Sequence, residues 1–157
     1  MASTPILDLA KIDMQHDEFS QSELMEILPH RGHMRQLKRV MYFDRTEWII
    51  AGLKEARDDE FWVAGHIPGR PIMPGVMMLE SAAQLSSVLF QFRTGEERFV
   101  GFVRCDNVSF RGQVVPGDDL ILVSQSIEVR RRRVITNNQG YVDGEMVFEA
   151  NITGMVF

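Results

Sequence analysis

The stretch Pro74-Gly75-Val76-Met77-Met78-Leu79-Glu80-Ser81-Ala82-Ala83-Gln84-Leu85-Ser86-Ser87-Val88-Leu89-Phe90-Gln91-Phe92 is the one long helical pattern in a chain that otherwise reads as strands. Pro74 suits the first helical turn, where a missing N–H costs nothing. Val76, Leu79, Ala83 and Phe90 recur at helical spacing, and Met77, Met78, Ala82, Leu85, Val88 and Leu89 make the helix apolar nearly all round. Such a helix is buried inside a domain. After it, residues 99–110, 120–130, 134–142 and 145–157 read as strands, with Asp143-Gly144 as a hairpin turn. Before it, Val40, Tyr42 and Phe43 are separated from Trp48, Ile49 and Ile50 by the polar turn Asp44-Arg45-Thr46-Glu47. One buried helix among about five to seven strands predicts an α+β fold, an antiparallel sheet wrapped around a central helix.

Further from the helix the signals are weaker. Ser22 is the expected N-cap of a short helix over residues 23–28, ended by Pro29. Residues 1–20 are polar and weakly patterned, an extension expected to pack loosely on a single domain spanning 21–157. The 157 residues suit one domain, since domains cluster at roughly 100–150 residues. The net charge of −5 argues against nucleic acid as a partner, because phosphate binding needs a basic surface. The run Arg130 to Arg133 is read instead as a solvated strand edge or a docking site for an acidic partner. Cys105 is the single cysteine and has no internal disulfide partner, which suits a reducing compartment. The N-terminal residues do not read as a signal peptide, and Pro74, Glu80 and Gln84 interrupt the most apolar window, so no membrane span is expected. These features predict a cytoplasmic protein.

The chemistry-bearing residues cluster around the start of the helix. Gly65, Gly69, Gly75, Pro68, Pro71 and Pro74 impose an irregular backbone on residues 64–75 and place His66 on a loop. Glu80 falls in the apolar helix, where a carboxylate is costly unless paired or protonated. Gln84 lies four residues on, hence on the same face and within hydrogen-bonding reach of Glu80. The first N–H groups, at Gly75 and Val76, have no intrahelical acceptor and carry the positive end of the helix dipole. Together these supply a base, an acid and an oxyanion donor. A lone His in such a loop is more often structural, and a lone helical Glu is usually solvated; the apolar surroundings weaken the second objection. His30-Arg31-Gly32-His33 lacks further ligands at metal spacing, so it is read as structural or surface, with no metal.

The run Gly65-His66-Ile67-Pro68-Gly69-Arg70-Pro71-Ile72-Met73-Pro74-Gly75-Val76, then Glu80-Ser81-Ala82-Ala83-Gln84, resembles the active-site signature of the (3R)-hydroxyacyl-[acyl-carrier-protein] dehydratases of bacterial fatty acid synthesis. The resemblance extends upstream to Leu28-Pro29-His30-Arg31 and Arg39-Val40. Downstream it takes in Phe110-Arg111, Val115-Pro116-Gly117-Asp118 and Tyr141-Val142-Asp143-Gly144, and so spans about residues 22 to 157. It implies the hot-dog fold and a homodimer with its site at the subunit interface, often as a trimer of dimers. It also implies dehydration of a 3-hydroxyacyl thioester carried by acyl carrier protein, with neither cofactor nor metal. Residue by residue, it implies His66 as the base, Glu80 as the acid, Gly75 as the thioester carbonyl donor and Gln84 as the partner of Glu80.

One stretch departs from the family pattern. Where the family has an aromatic residue, Pro, an apolar run and Asp-Arg, this chain has Gly32-His33-Met34-Arg35-Gln36-Leu37-Lys38-Arg39. The expectation is that residues 32–38 alter acyl preference or partner. The rival activities are a hot-dog acyl thioesterase, a dehydratase that also isomerises the double bond, and a non-catalytic acyl-carrier-binding paralogue. The isomerising branch typically carries Asp where this chain has Glu80.

Overall fold

The computed structural model describes residues 3–157; Met1 and Ala2, the first two residues of the expected extension, lie outside the described residues. Among the described residues there are three α-helices: α1 (Gln21–Ile27), α2 (Trp62–Gly65) and α3 (Gly75–Thr94). The six strands are β1 (Arg39–Asp44), β2 (Ile49–Glu55), β3 (Val100–Phe110), β4 (Asp119–Val129), β5 (Arg133–Val142) and β6 (Glu145–Val156). They form one antiparallel sheet in the order β1-β2-β4-β5-β6-β3, with bulges that bend it around α3. This is the α+β hot-dog architecture.

The helix is seated by its own apolar residues. Met77, Met78, Ala82, Leu85, Val88 and Leu89 pack against Val40 and Ile50 of the first hairpin, Leu120 and Leu122 of β4, and Phe148, Ala150 and Ile152 of β6. A Cβ at Gly52 would stand 3.0 Å from Leu85 Cδ1, so the missing side chain lets α3 lie close on β2. The helix runs two residues past the expected Phe92 and stops at Gly95, in the left-handed region at φ 71°, whose N–H donates to the Gln91 carbonyl.

The opposite face of the sheet is apolar too. Met41, Ile49, Ala51, Leu53, Val123 and Tyr141 form a second cluster, completed by Leu7 and Ile12. β2 is therefore buried on both faces, which explains why Ile49, Ile50, Ala51 and Leu53 do not alternate with polar residues. Residues 4–19 are thus not loosely attached, contrary to expectation. Gln139 Oε1 accepts from the Ile6 N–H at 2.8 Å, Gln139 Nε2 donates to the Thr4 carbonyl at 2.9 Å, and Phe19 bridges to Val40.

Three further details correct the sequence reading. The cap of α1 is Ser20, not Ser22: Glu23 N–H donates to Ser20 Oγ and Ser20 N–H to Glu23 Oε2, a reciprocal pair that only the Ser20–Glu23 spacing allows. Residues 64 and 65, the start of the expected loop, are the end of the short helix α2. Arg130 to Arg132 form the β4–β5 turn rather than a strand, and Arg130 and Arg133 pair with Glu128. The Asp44–Glu47 turn is as expected, its Asp44 Oδ1 accepting the N–H groups of Thr46 and Glu47. Among the described residues, no helix is long and apolar enough to cross a membrane.

Candidate active site

The loop from β2 to α3 carries the first expected residue. Lys54, 2% exposed, pairs with Glu60, whose other oxygen accepts from the Arg57 N–H at 2.9 Å; this buried pair anchors the loop as it leaves the sheet. Burial pulls the Lys54 pKa down, and the Glu60 carboxylate opposes that shift. The chain then passes through α2, and His66 follows at its C-terminal end. The imidazole is exposed, and its Nδ1 lies 2.6 Å from the Ile72 carbonyl oxygen. A carbonyl only accepts, so Nδ1 carries a proton, and in the neutral ring Nε2 is the nitrogen with the free lone pair.

The start of α3 carries the next residues. Pro74 is the N-cap and offers no side-chain hydrogen bond to the first N–H groups, at Gly75 and Val76. A Cβ on Gly75 would lie 2.8 Å from the Phe110 ring, so only glycine fits without displacing it. Val76 is exposed.

Glu80 follows one turn later and is not sealed in the core as its sequence setting suggested. Its side chain is 26% exposed. Gln84 Nε2 donates to Glu80 Oε1 at 2.9 Å, confirming the spacing argument, and His30 Nε2 stands 3.5 Å from the same oxygen. Gln84 is buried and ties down more than Glu80. Its Nε2 also donates to the Met34 carbonyl at 2.7 Å, and its Oε1 accepts the Gln36 N–H at 3.1 Å.

His30 is the residue that the sequence reading missed, having been assigned to structure or surface. Its only signal was its place in Leu28-Pro29-His30-Arg31. Arg31 donates to the carbonyls of Met25, Leu28 and His30, locking that turn onto the end of α1 and aiming His30 at Glu80. Burial lowers the His30 pKa, with Arg31 adding to the effect and the Glu80 carboxylate opposing it.

Residues 32–38 resolve into separate fates. Lys38 reaches the surface and pairs with Glu55, Arg35 is exposed against Met25 Sδ, and Gln36 is buried with its Nε2 donating to the His33 carbonyl at 2.9 Å. Among the described residues, no hydrogen bond or ion pair joins His66 to Glu80, whose partners are Gln84 and His30. Nearby, β3 ends the sheet with a free edge, exposing Phe102, Val103 and Phe110.

The chain as a whole has recognisable relatives. Residues 28–151 match the FabA-like domain family. A 3-hydroxyacyl-[acyl-carrier-protein] dehydratase FabZ of Xanthomonas euvesicatoria is 35% identical over 140 residues, covering 83% of this chain and 88% of that protein. The FabZ of Fusobacterium nucleatum is 35% identical over 138 residues, covering 85% and 94%. Among solved structures, the dehydratase heterocomplex ApeI:P from Xenorhabdus doucetiae superposes with a TM-score of 0.72 at 13% identity, covering 85% of this chain and 90% of that one. Cj0977 of Campylobacter jejuni does so with a TM-score of 0.67 at 13% identity, covering 93% and 96%. At such identities the structures speak for the fold alone, whereas the sequence match over most of the chain makes this protein a member of the FabA-like family.

Proposed function

We propose that this protein removes water from a (3R)-hydroxyacyl thioester carried by acyl carrier protein, giving the trans-2-enoyl thioester, in fatty acid or related lipid synthesis in the cytoplasm. The observation that carries the reading is the 2.6 Å contact of His66 Nδ1 with the Ile72 carbonyl oxygen, which holds a proton on Nδ1 and leaves Nε2 of the neutral ring free to act as a base on an exposed loop. The activity named for the FabZ relatives supports the same reaction.

In this reading His66 Nε2 takes the proton from C2, the electron pair forms the C2–C3 double bond, and the C3–O bond breaks. Glu80 delivers a proton to the departing hydroxyl, which leaves as water. The step ends with His66 protonated and Glu80 ionised, and proton exchange resets both. The N–H groups of Gly75 and Val76 face the thioester oxygen, where charge develops as the C2 proton leaves. The site is shared between two copies: β3 extends the sheet into a partner, and His66 of one protomer serves Glu80 of the other. The free edge and exposed apolar residues of β3 support this.

The test is incubation with 3-hydroxyacyl carrier protein thioesters of several lengths, with products resolved by mass. Loss of one water with the thioester intact is expected. Release of free carrier thiol instead identifies a thioesterase, and unchanged substrate that still binds identifies a non-catalytic carrier-binding protein.

A further inference from the structure

Two buried polar atoms behind Glu80 have no hydrogen-bond partner among the described residues: His30 Nδ1 and Gln36 Oε1. Buried polar atoms are rarely left so, because each has surrendered its hydrogen bonds to bulk water. Both residues line the same small cleft, with about 10 Å³ of room, between the buried Leu24, Leu28 and Leu37 and the exposed Gln21 and Arg35. That is about the room one water molecule needs.

The donors and acceptors around this cleft are constrained. Gln36 Nε2 donates to the His33 carbonyl, so the amide orientation is set and Oε1 is the atom left to accept. On the far side of the imidazole, Nε2 faces Glu80 Oε1 at 3.5 Å, the oxygen that already accepts from Gln84. An N–H at Nε2 is favourable against a carboxylate, and burial keeps the ring to a single proton. Nδ1 is then bare and needs a donor. A water that donates one hydrogen to Gln36 Oε1 and the other to His30 Nδ1 satisfies both orphaned atoms at once.

We propose that a single buried water links Gln36 Oε1 to His30 Nδ1, reserving the His30 Nε2–H for Glu80 Oε1 and leaving Glu80 Oε2 to the substrate. His30 and Gln36 are on this account positioning residues: they act through Glu80 and do not touch the reacting atoms. Gln36 lies in the run where this chain departs from the apolar family pattern, which makes the relay a property of this chain. Its catalytic consequence rests on the dehydratase reading above; the relay itself does not.

The experiment compares wild type with Gln36→Leu, which keeps the backbone N–H that Gln84 accepts and fills the cleft with apolar atoms. Ring nitrogen resonances of His30 are read in ¹⁵N-labelled protein, assigned by their loss in His30→Gln, with thermal melts to check folding. Wild type should show the proton on Nε2 and a hydrogen-bonded Nδ1. In Gln36→Leu the Nδ1 resonance should move downfield, as for a lone pair that has lost its donor. In the dehydration assay kcat should fall roughly three- to tenfold at unchanged KM, well short of the roughly 10²–10⁴-fold that a general acid supplies. A wild-type proton on Nδ1, or an Nδ1 resonance unmoved in folded Gln36→Leu, overturns the relay. A moved resonance with unchanged kcat overturns the positioning role. If wild type dehydrates no thioester, the functional reading fails and the resonances still decide the relay.

Discussion

Gln84 lies one helical turn beyond Glu80, and its amide hydrogens reach two places at once: Glu80 Oε1 at 2.9 Å and the Met34 carbonyl at 2.7 Å. Its oxygen accepts the Gln36 N–H. One buried side chain therefore sets the position of the carboxyl and pins the 34–36 segment against α3. Orientation of the proposed acid and packing of the segment are the same set of hydrogen bonds.

That dual role makes Gln84→Leu costly in two measurable ways. Removing the amide strands the buried Gln36 N–H, which costs about 1–3 kcal/mol, and frees the part-buried Met34 carbonyl at little further cost. Urea unfolding should show a loss in that range. Turnover of hydroxyacyl thioester should fall in the protein that remains folded, because Glu80 has lost its better-placed donor. Wild-type stability would show that the segment is held by other contacts.

His66→Ala and Glu80→Gln should each lower dehydration by about 10²-fold or more, with far-ultraviolet circular dichroism unchanged because both side chains are at least partly exposed. Mixing the two inactive variants after co-refolding should restore partial activity, since a mixed dimer carries one site with both groups intact. Failure to complement, with hetero-oligomers verified by mass, would place His66 and Glu80 of one chain in the same site.

Stability should fall as the pH drops below neutrality, and His30 should account for part of the fall. Burial holds the folded-state pKa of His30 below 6.5, so near that pH the unfolded chain gains a proton that the folded chain resists. Unfolding free energy therefore decreases as pH falls from 6.5 towards the folded-state value and levels off below it. Glu80 opposes the shift and the ring is only half-buried, so the effect is modest. Urea titrations on both sides of pH 6.5 should show a shallower dependence in His30→Gln than in wild type, and an identical slope would contradict the assignment.

The N-terminal segment should behave as part of the folded unit. Leu7 fills the outer apolar face of the sheet, so Leu7→Ala should cost about 2 kcal/mol or more. The exposed Lys11→Ala should change stability by less than about 0.5 kcal/mol. Equal effects from the two substitutions, read by chemical denaturation, would mean that the segment detaches without consequence.

Local sequence pattern determined the central helix, the strand segments and two of the three hairpin turns, β1–β2 and β5–β6. These are local matters: period 3.6 against period 2, Asp-Gly at one turn and Asp44 at the other. The Glu80–Gln84 contact was equally legible, because helical spacing converts directly into distance. Partnerships between distant segments were not. His30 lies 50 residues before Glu80, and nothing in its surroundings marks it except Arg31, whose carbonyl contacts become visible only when α1 is in place. Residues 3–19 are polar enough to read as a loose extension, yet Leu7 and Ile12 find an apolar sheet face that exists only once β1, β2 and β4 have paired. Gln36 reads as surface-compatible and is buried because Gln84 holds its backbone from across the fold. Side-chain burial and hydrogen-bond partners at such positions depend on which surfaces the sheet and helix bring together, and that is decided by tertiary packing.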